Sequence, residues 1–439
     1  MLSEATNSGR RRFLQASAAL VGLPGRAEKQ SPNVLVLFAD DLRADTIGAW
    51  GNREISTPNL DRLARGGTSF RHCYNQGGHQ PAVCVASRAM LLTGKSLWRA
   101  TANAGMDSTL LPERFREAGY DTFFTGKWHN GAATLQRSFD QGGLTLLGGM
   151  GPQISPKLQA FGSNKPETID GRASPLFADS LRSFLQKRSK SQKSFFAYCA
   201  FTAPHDPREA EPSDLKQYQS RELTLPRPWF PTPQIDNGET KIRDEMVVAA
   251  PRTRQQCQTE LAAYYALITE LDRNIGSILK TLEDRQELNR TLIVFAGDNG
   301  LALGAHGLMG KQSMYEHSLR VPLLFYGPGI QKQTYSRPVY LSEVYSRLCQ
   351  HLKMAIPSGV EGPGAPLYFG YRDFQRAVRI GSRKMSWSAK ALEQYDLASD
   401  PYEERNLWGG VKAWDAAPFL AAEAKAKAFF GDPVGPRLG

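Results

Sequence analysis

Asp40-Asp41 and Asp298-Asn299 place three carboxylates and one amide oxygen at the ends of two apolar runs, and Cys84 stands four residues before Arg88 at the head of a helix-like stretch, Ala89 to Gly94. If the three carboxylates meet, each close pair repels by about 1–4 kcal/mol at intermediate dielectric, a cost that a divalent cation cancels. An all-oxygen set of Asp40, Asp41, Asp298 and Asn299 selects hard Ca²⁺ or Mg²⁺ over zinc, whose sites prefer histidine and cysteine. Singly, Asp40-Asp41 reads equally as a strand-to-helix cap and Asp298-Asn299-Gly300 as a turn. A cysteine at a helix start has its sulfur near backbone N–H groups, the positive end of the helix dipole and, here, a guanidinium, which suits an anion; it also reads as a small buried residue.

Four runs rich in β-branched or aromatic residues must position these groups. Val34–Phe38 leads to Asp40-Asp41, Thr291–Phe295 to Asp298-Asn299-Gly300, Tyr120–Phe124 to Gly126-Lys127-Trp128-His129, and Phe195–Phe201 to Pro204-His205-Asp206. Apolar runs that each end in polar clusters are how buried parallel strands read when chemistry collects at their carboxyl ends. Alternation of such strands with helical segments, in a chain with 41% hydrophobic residues, predicts a large α/β core.

These motifs resemble the formylglycine-dependent sulfatases of the alkaline-phosphatase-like superfamily. The likeness runs through Asn33 to Asp41, Thr57-Pro58-Asn59-Leu60-Asp61-Arg62-Leu63-Ala64, the Cys84 block, Thr125 to His129, Pro204-His205, and Asp298 through His306-Gly307 to Gly310-Lys311. It implies a large central, mostly parallel sheet flanked by helices, with a smaller C-terminal subdomain of a short antiparallel sheet and a helix.

The resemblance also implies that Cys84 is oxidised to Cα-formylglycine (3-oxoalanine) by a maturase and hydrated to a geminal diol. One hydroxyl of the group derived from Cys84, itself a ligand of the metal and deprotonated with help from Asp298, would attack the sulfur of a sulfate monoester; the other, assisted by His129, would then expel sulfate. Arg88 would lie against the diol and metal, Lys127 and Lys311 on the sulfate oxygens, and His205 would protonate the leaving oxygen. His306 would approach the substrate or brace the loop before Lys311. At position 86 this chain has alanine where the family pattern C-x-P-S-R has proline, which leaves the route of maturation open. A phosphonate or phosphodiester hydrolase and a non-catalytic glycan binder are the rival classes.

Gly9-Arg10-Arg11-Arg12-Phe13-Leu14 followed by the apolar run Ala16 to Leu23 has the layout of a twin-arginine export signal, placing a leader in residues 1–30 and the protein in the periplasm or outside the cell. No segment is long enough to span a bilayer. The net charge of +11, of which the leader holds +3, draws anionic partners. Without a basic stripe interleaved with aromatics, sulfated glycans or smaller sulfated molecules fit better than nucleic acid. Of five cysteines, Cys73, Cys199, Cys257 and Cys349 remain beside Cys84, with no pairing legible.

The expected organisation is a catalytic domain over 31–353 and a C-terminal subdomain over 354–439. In the latter, Val378–Ile380, Lys384–Trp387 and Gln394–Leu397 read as short strands, and Pro357–Tyr371 as a connection. Asp206–Arg254 reads as a long ordered loop over the catalytic face, and Gln258–Leu282 as a helix with one apolar face.

Overall fold

The computed structural model describes residues 31–100, 108–189, 193–388 and 390–434. The leader expected in residues 1–30 lies outside them.

Strand Asn33–Ala39 is the centre of the molecule, and all seven of its residues are buried. In a strand, successive side chains point to opposite faces, so a run that is apolar at every position needs cover on both sides. Val34, Val36 and Phe38 pack with Leu91 and Leu92 of helix Val83–Thr93 and with Val344, Tyr345 and Leu348 of helix Glu343–His351. Leu35, Leu37 and Ala39 face Leu261, Ile268, Leu271 and Ile275 of helix Arg254–Asp284, with Phe177 and Leu181 of helix Ala173–Lys187. Each valine, leucine, isoleucine or phenylalanine among them, fully removed from water, contributes roughly 1.5–3 kcal/mol.

Asn33–Ala39 pairs in parallel with Phe195–Ala200 on one side and Thr291–Gly297 on the other; Asp121–Lys127 and then Gln141–Leu146 extend the parallel run. Antiparallel neighbours close both flanks: Arg320–Tyr326 against Thr291–Gly297, and Lys157–Ala160 against Gln141–Leu146. Among the described residues the sheet has eleven strands. This is the mostly parallel, helix-covered α/β architecture expected from the sequence.

The helix predicted over Gln258–Leu282 runs from Arg254 to Asp284 and buries Leu261, Tyr264, Tyr265, Ile268, Leu271, Ile275 and Ile278, all on the expected face. It starts where Thr253 and Gln256 cap reciprocally: Gln256 N–H donates to Thr253 Oγ1 at 3.1 Å, and Thr253 N–H to Gln256 Oε1 at 2.9 Å. Within Asp206–Arg254 the structure adds a helix, Pro212–Gln219, and a 3₁₀ turn, Arg243–Val248, to otherwise irregular backbone.

The second sheet is built from Leu367–Tyr371, Gln375–Ile380, Arg383–Trp387 and Leu392–Asp396, antiparallel in succession. Pro357–Tyr371 therefore ends in a strand where a connection was expected. Its outer partner is Gly77–Gly78, paired in parallel from nearly three hundred residues away. Gly77 has φ +97°, and a Cβ there would sit 2.1 Å from Gly370 O, so only glycine closes this pairing. The small sheet is thereby joined to the segment that leads into the Cys84 helix. Helix Ala417–Phe430 packs on it through Phe419, Ala426 and Phe430.

The five cysteines are all buried and unpaired. Among the described residues, no helix is long and apolar enough to cross a membrane.

Candidate active site

The sheet register brings the chemistry together. Phe38 pairs with Ala200 and Ala39 with Gly297, so the chain leaves three neighbouring strands at one level. Asp40 N–H then donates to Ala203 O at 3.1 Å and Asp298 N–H to Ala39 O at 3.1 Å. Asp41 has φ +61° and His129 φ +60°. Non-glycine residues in the left-handed region cost about 1 kcal/mol or more and persist where the surroundings over-determine them. At Gly126, just before Lys127, a Cβ would lie 1.9 Å from Ala200 O, so the strand that delivers Lys127 requires glycine there.

Helix Val83–Thr93 begins one residue before Cys84 and ends on Gly94, whose N–H caps Met90 O. Cys84 Sγ lies 3.3 Å from His129 Nδ1 and 3.6 Å from Lys127 Nζ. One helical turn on, Arg88 donates from Nε and Nη2 to Asp298 Oδ2 at 3.2 and 3.0 Å, and from Nη1 to Lys127 O at 2.9 Å. Its Nη2 is 3.6 Å from Asp40 Oδ1. Lys127 Nζ is hydrogen-bonded to Asp40 Oδ2. Lys311 Nζ donates to both oxygens of Asp41 at 2.6 Å, and Asp41 N–H donates to Asp298 Oδ1 at 2.9 Å. His205 Nε2 is 3.6 Å from Asp41 Oδ2.

Three carboxylates, from Asp40, Asp41 and Asp298, are thus matched by Arg88, Lys127 and Lys311, all of them buried. Burial pushes Asp40 up, but the charges of Lys127, Arg88 and Lys311 outweigh it and hold its pKa below the ordinary carboxylate value. At Asp41 burial wins and the neighbouring Asp40 and Asp298 charges add to it, against Lys311; at Asp298 burial wins with Asp40 adding. Asp40 Oδ1 is buried without a hydrogen-bond donor, and so is the Asn299 Nδ2 group without an acceptor. Ligand atoms of Asp40, Cys84 and Asp298 lie within 4.8 Å of one another, as do those of Asp40, Asp41 and His205. A buried carboxylate oxygen that accepts no hydrogen bond, among crowded carboxyls, fits a hard divalent cation, which would ligate it and offset the repulsion.

The remaining groups are neutral in this setting. Burial raises the Cys84 thiol despite Lys127 and Lys311, so it is no thiolate at neutral pH. Burial, with Lys127 and Arg88, lowers His129 to about 3. His205 is lowered well below its ordinary value by burial, then by Lys311 and Lys127. Its Nδ1 lies 2.7 Å from Asp206 O, and because a carbonyl only accepts, the proton sits on Nδ1 and the Nε2 lone pair faces Asp41.

His306 lies in a different setting. Its ring stacks on Tyr315 at 3.7 Å between centroids, and its Nε2 is 2.9 Å from Glu403 O. Four further residues support the cluster, of which only Asp206 stands in a strand-end cluster read from the sequence. Ser87 Oγ donates to Asp298 O at 2.6 Å, Gln312 Oε1 accepts Lys311 N–H at 2.9 Å, Asp206 flanks His205, and Asp244 accepts from Gln312 Nε2 at 2.8 Å. Ser87 could have been found inside the Cys84 block; Asp244 sits in a charged loop with no pattern that marks it.

The chain is 26% identical over 423 residues to an ulvan-active sulfatase of Formosa agariphila, covering 87% of this chain and 78% of that protein. It is 27% identical over 445 residues to an arylsulfatase of Clostridium perfringens, covering 86% and 90%. A solved structure of a protein in complex with its substrate D-glucosamine-2-N,6-O-disulfate superposes with a TM-score of 0.73 at 22% identity, covering 92% of this chain and 97% of that one. The model of the sulfatase family matches residues 32–354, which take in every strand end that delivers a residue to the site, and the chain belongs to that family of sulfuric ester hydrolases.

Proposed function

We propose that the protein hydrolyses a sulfate monoester of a carbohydrate, with side chain 84, converted to formylglycine, as the nucleophile, and with Ca²⁺ or Mg²⁺ held by Asp40, Asp41, Asp298 and Asn299. One observation carries the reading: Cys84 Sγ sits within contact of His129 and Lys127 at the edge of a buried cluster in which three carboxylates and three cations balance. A buried, neutral cysteine thiol is a poor nucleophile in its own right. Oxidised by a maturase and hydrated, the same position supplies an oxygen nucleophile. The cation, when bound, supplies Lewis acidity towards the sulfuryl oxygens and removes the repulsion among its ligands.

The chain's own residues then divide the work. Lys127 and Lys311, held in place by Asp40 and Asp41, bind the sulfate oxygens; one such preorganised donor is worth roughly 3–4 kcal/mol of barrier. Arg88 fixes Asp298 and orients side chain 84. His129, neutral and with Nδ1 towards position 84, accepts a proton there. His205 is kept neutral by burial and by Lys311, and an anionic ester set against Lys311 relieves that penalty, so Nε2 takes up the proton it passes to the leaving oxygen.

Sulfated carbohydrate is favoured by the ulvan-active relative, by the disulfated glucosamine bound in the solved structure, and by the +8 charge outside the leader. Export through residues 1–30 to the periplasm or beyond suits such a substrate. Release of inorganic sulfate from a panel of sulfated saccharides by the matured protein tests the proposal. Release from at least one member supports it; hydrolysis of aryl phosphonate esters with no sulfate release overturns it.

A further inference from the structure

The loop Asp206–Arg254 returns to the site through one 3₁₀ turn, where three consecutive charged side chains each reach a different part of the machinery. Arg243 grips the Asp206 carboxylate with both terminal nitrogens, one of them at 3.1 Å from Oδ1. Asp206 holds His205 through its carbonyl at 2.7 Å, with its Oδ1 3.4 Å from the same Nδ1. Asp244 accepts from Arg243 Nη1 at 3.1 Å and from Gln312 Nε2 at 2.8 Å. Gln312 accepts the Lys311 N–H and donates to Pro81 O at 2.8 Å, the carbonyl that also receives the Val83 N–H where the Cys84 helix begins. Glu245 accepts the N–H groups of Met309 and Gly310 at 2.9 and 2.8 Å, immediately before Lys311, and is itself secured by buried Arg252 at 2.6 Å.

We propose that Arg243-Asp244-Glu245 is a positioning clamp that sets His205 and Lys311 relative to each other and to side chain 84. The proposal rests on the roles given above to His205 and Lys311. The stretch that delivers Lys311 has no regular secondary structure from Leu301 to Lys311 and includes Leu303 and His306 at positive φ. Its own turn bonds, such as Ala302 N–H to Gly310 O at 2.9 Å and Gly304 N–H to Leu308 O at 2.7 Å, close the stretch on itself, and the two N–H bonds to Glu245 tie its Lys311 end to the 3₁₀ turn. Arg243 is 47% exposed, and ion pairs of such exposure contribute little to stability, so its two-nitrogen grip on Asp206 orients the histidine more than it holds the fold.

Two substrates separate positioning from general structure. The alkoxide of an alkyl or sugar sulfate needs a proton to leave; 4-nitrophenolate does not. Because a general acid is worth at least about a hundredfold and loosening its placement forfeits part of that, Arg243→Ala should lower kcat on the alkyl sulfate about tenfold more than on 4-nitrophenyl sulfate, with KM shifted less than kcat. Arg243→Lys should restore part of the loss. Glu245→Gln should lower kcat/KM on both substrates in the same proportion, because Lys311 grips the sulfate they share. Equal losses on the two substrates for Arg243→Ala, or none, would overturn the clamp, provided His205→Ala does discriminate between them. If His205→Ala does not discriminate, the assignment of His205 itself falls, and the clamp with it.

Discussion

Lys311 holds Asp41 through both carboxylate oxygens at 2.6 Å, across 270 residues of sequence and with both side chains almost fully buried. Burial works against the Lys311 ammonium, but Asp41 and the other negative groups nearby hold its pKa well above the ordinary lysine value. The residue is therefore a permanent cation beside the carboxylate cluster, which is the electrostatic condition for binding an anionic ester.

In the metal-free protein, removing that cation leaves Asp41 buried without its ion-pair partner. Lys311→Ala is expected to lower kcat/KM on an aryl sulfate by about 10²–10³-fold. Breaking a buried pair also costs stability, about 3–5 kcal/mol. Kinetics and thermal melts on the same preparation separate the two effects, and a variant that melts earlier yet turns over normally would remove Lys311 from the sulfate site.

Cys84→Ala removes the nucleophile and little volume from a well-packed helix start. Turnover should vanish while the melting temperature stays within a few degrees of the parent, because a surface of this size lost from a core costs about 1–2 kcal/mol. Full activity in the alanine variant would defeat the covalent route.

Chelation should destabilise the protein as well as inactivate it. A cation bound at a hundredfold above its Kd adds about 2.7 kcal/mol to the native state, so treatment with a chelator should lower the melting temperature, and Ca²⁺ or Mg²⁺ should restore it. Asp298→Asn should reduce the metal content found by elemental analysis; an unchanged content would take Asp298 out of the ligand set.

A second buried charge group predicts a pH dependence unrelated to catalysis. Lys384 Nζ lies 3.2 Å from Glu316 Oε1 and 2.7 Å from Glu403 Oε1, so two carboxylates share one ammonium. Glu316 is lowered to about 2, where Lys384, Arg320 and Arg379 outweigh the burial that pushes it up; Glu403 is raised to about 7, by burial first and by Glu316 despite Lys384. A carboxyl with a folded pKa above its unfolded value binds more protons when native, so stability falls as pH rises through the window between the two, from about 4.3 to 7. Glu403→Gln should flatten this fall, making the variant gain on the parent between pH 5 and pH 8, by at most about 3 kcal/mol. Denaturant melts across that range check it, and parallel curves for the two proteins would contradict it.

Much of the site was legible because its residues sit at strand ends, where apolar runs stop abruptly at polar clusters. Asp40-Asp41, Lys127, His205 and Asp298 all lie directly beyond runs that read as buried strands, and the register of Phe38 with Ala200 and Ala39 with Gly297 makes those endings coincide. The long helix was legible for the same kind of reason, its apolar positions recurring on one face. What escaped depends on contacts without local pattern. The strand Leu367–Tyr371 is paired by Gly77–Gly78, two residues too few to show any periodicity. Arg243, Asp244 and Glu245 are three charges in a polar loop, indistinguishable in sequence from a solvated turn, and only the fold shows them meeting Asp206, Gln312 and the backbone before Lys311.

The account depends most on the chemical state of position 84. Mass analysis of the peptide containing it, from protein that releases sulfate, should find the aldehyde: sulfur replaced by oxygen and two hydrogens lost relative to cysteine. Fully active protein in which that peptide carries only unmodified cysteine would contradict the account.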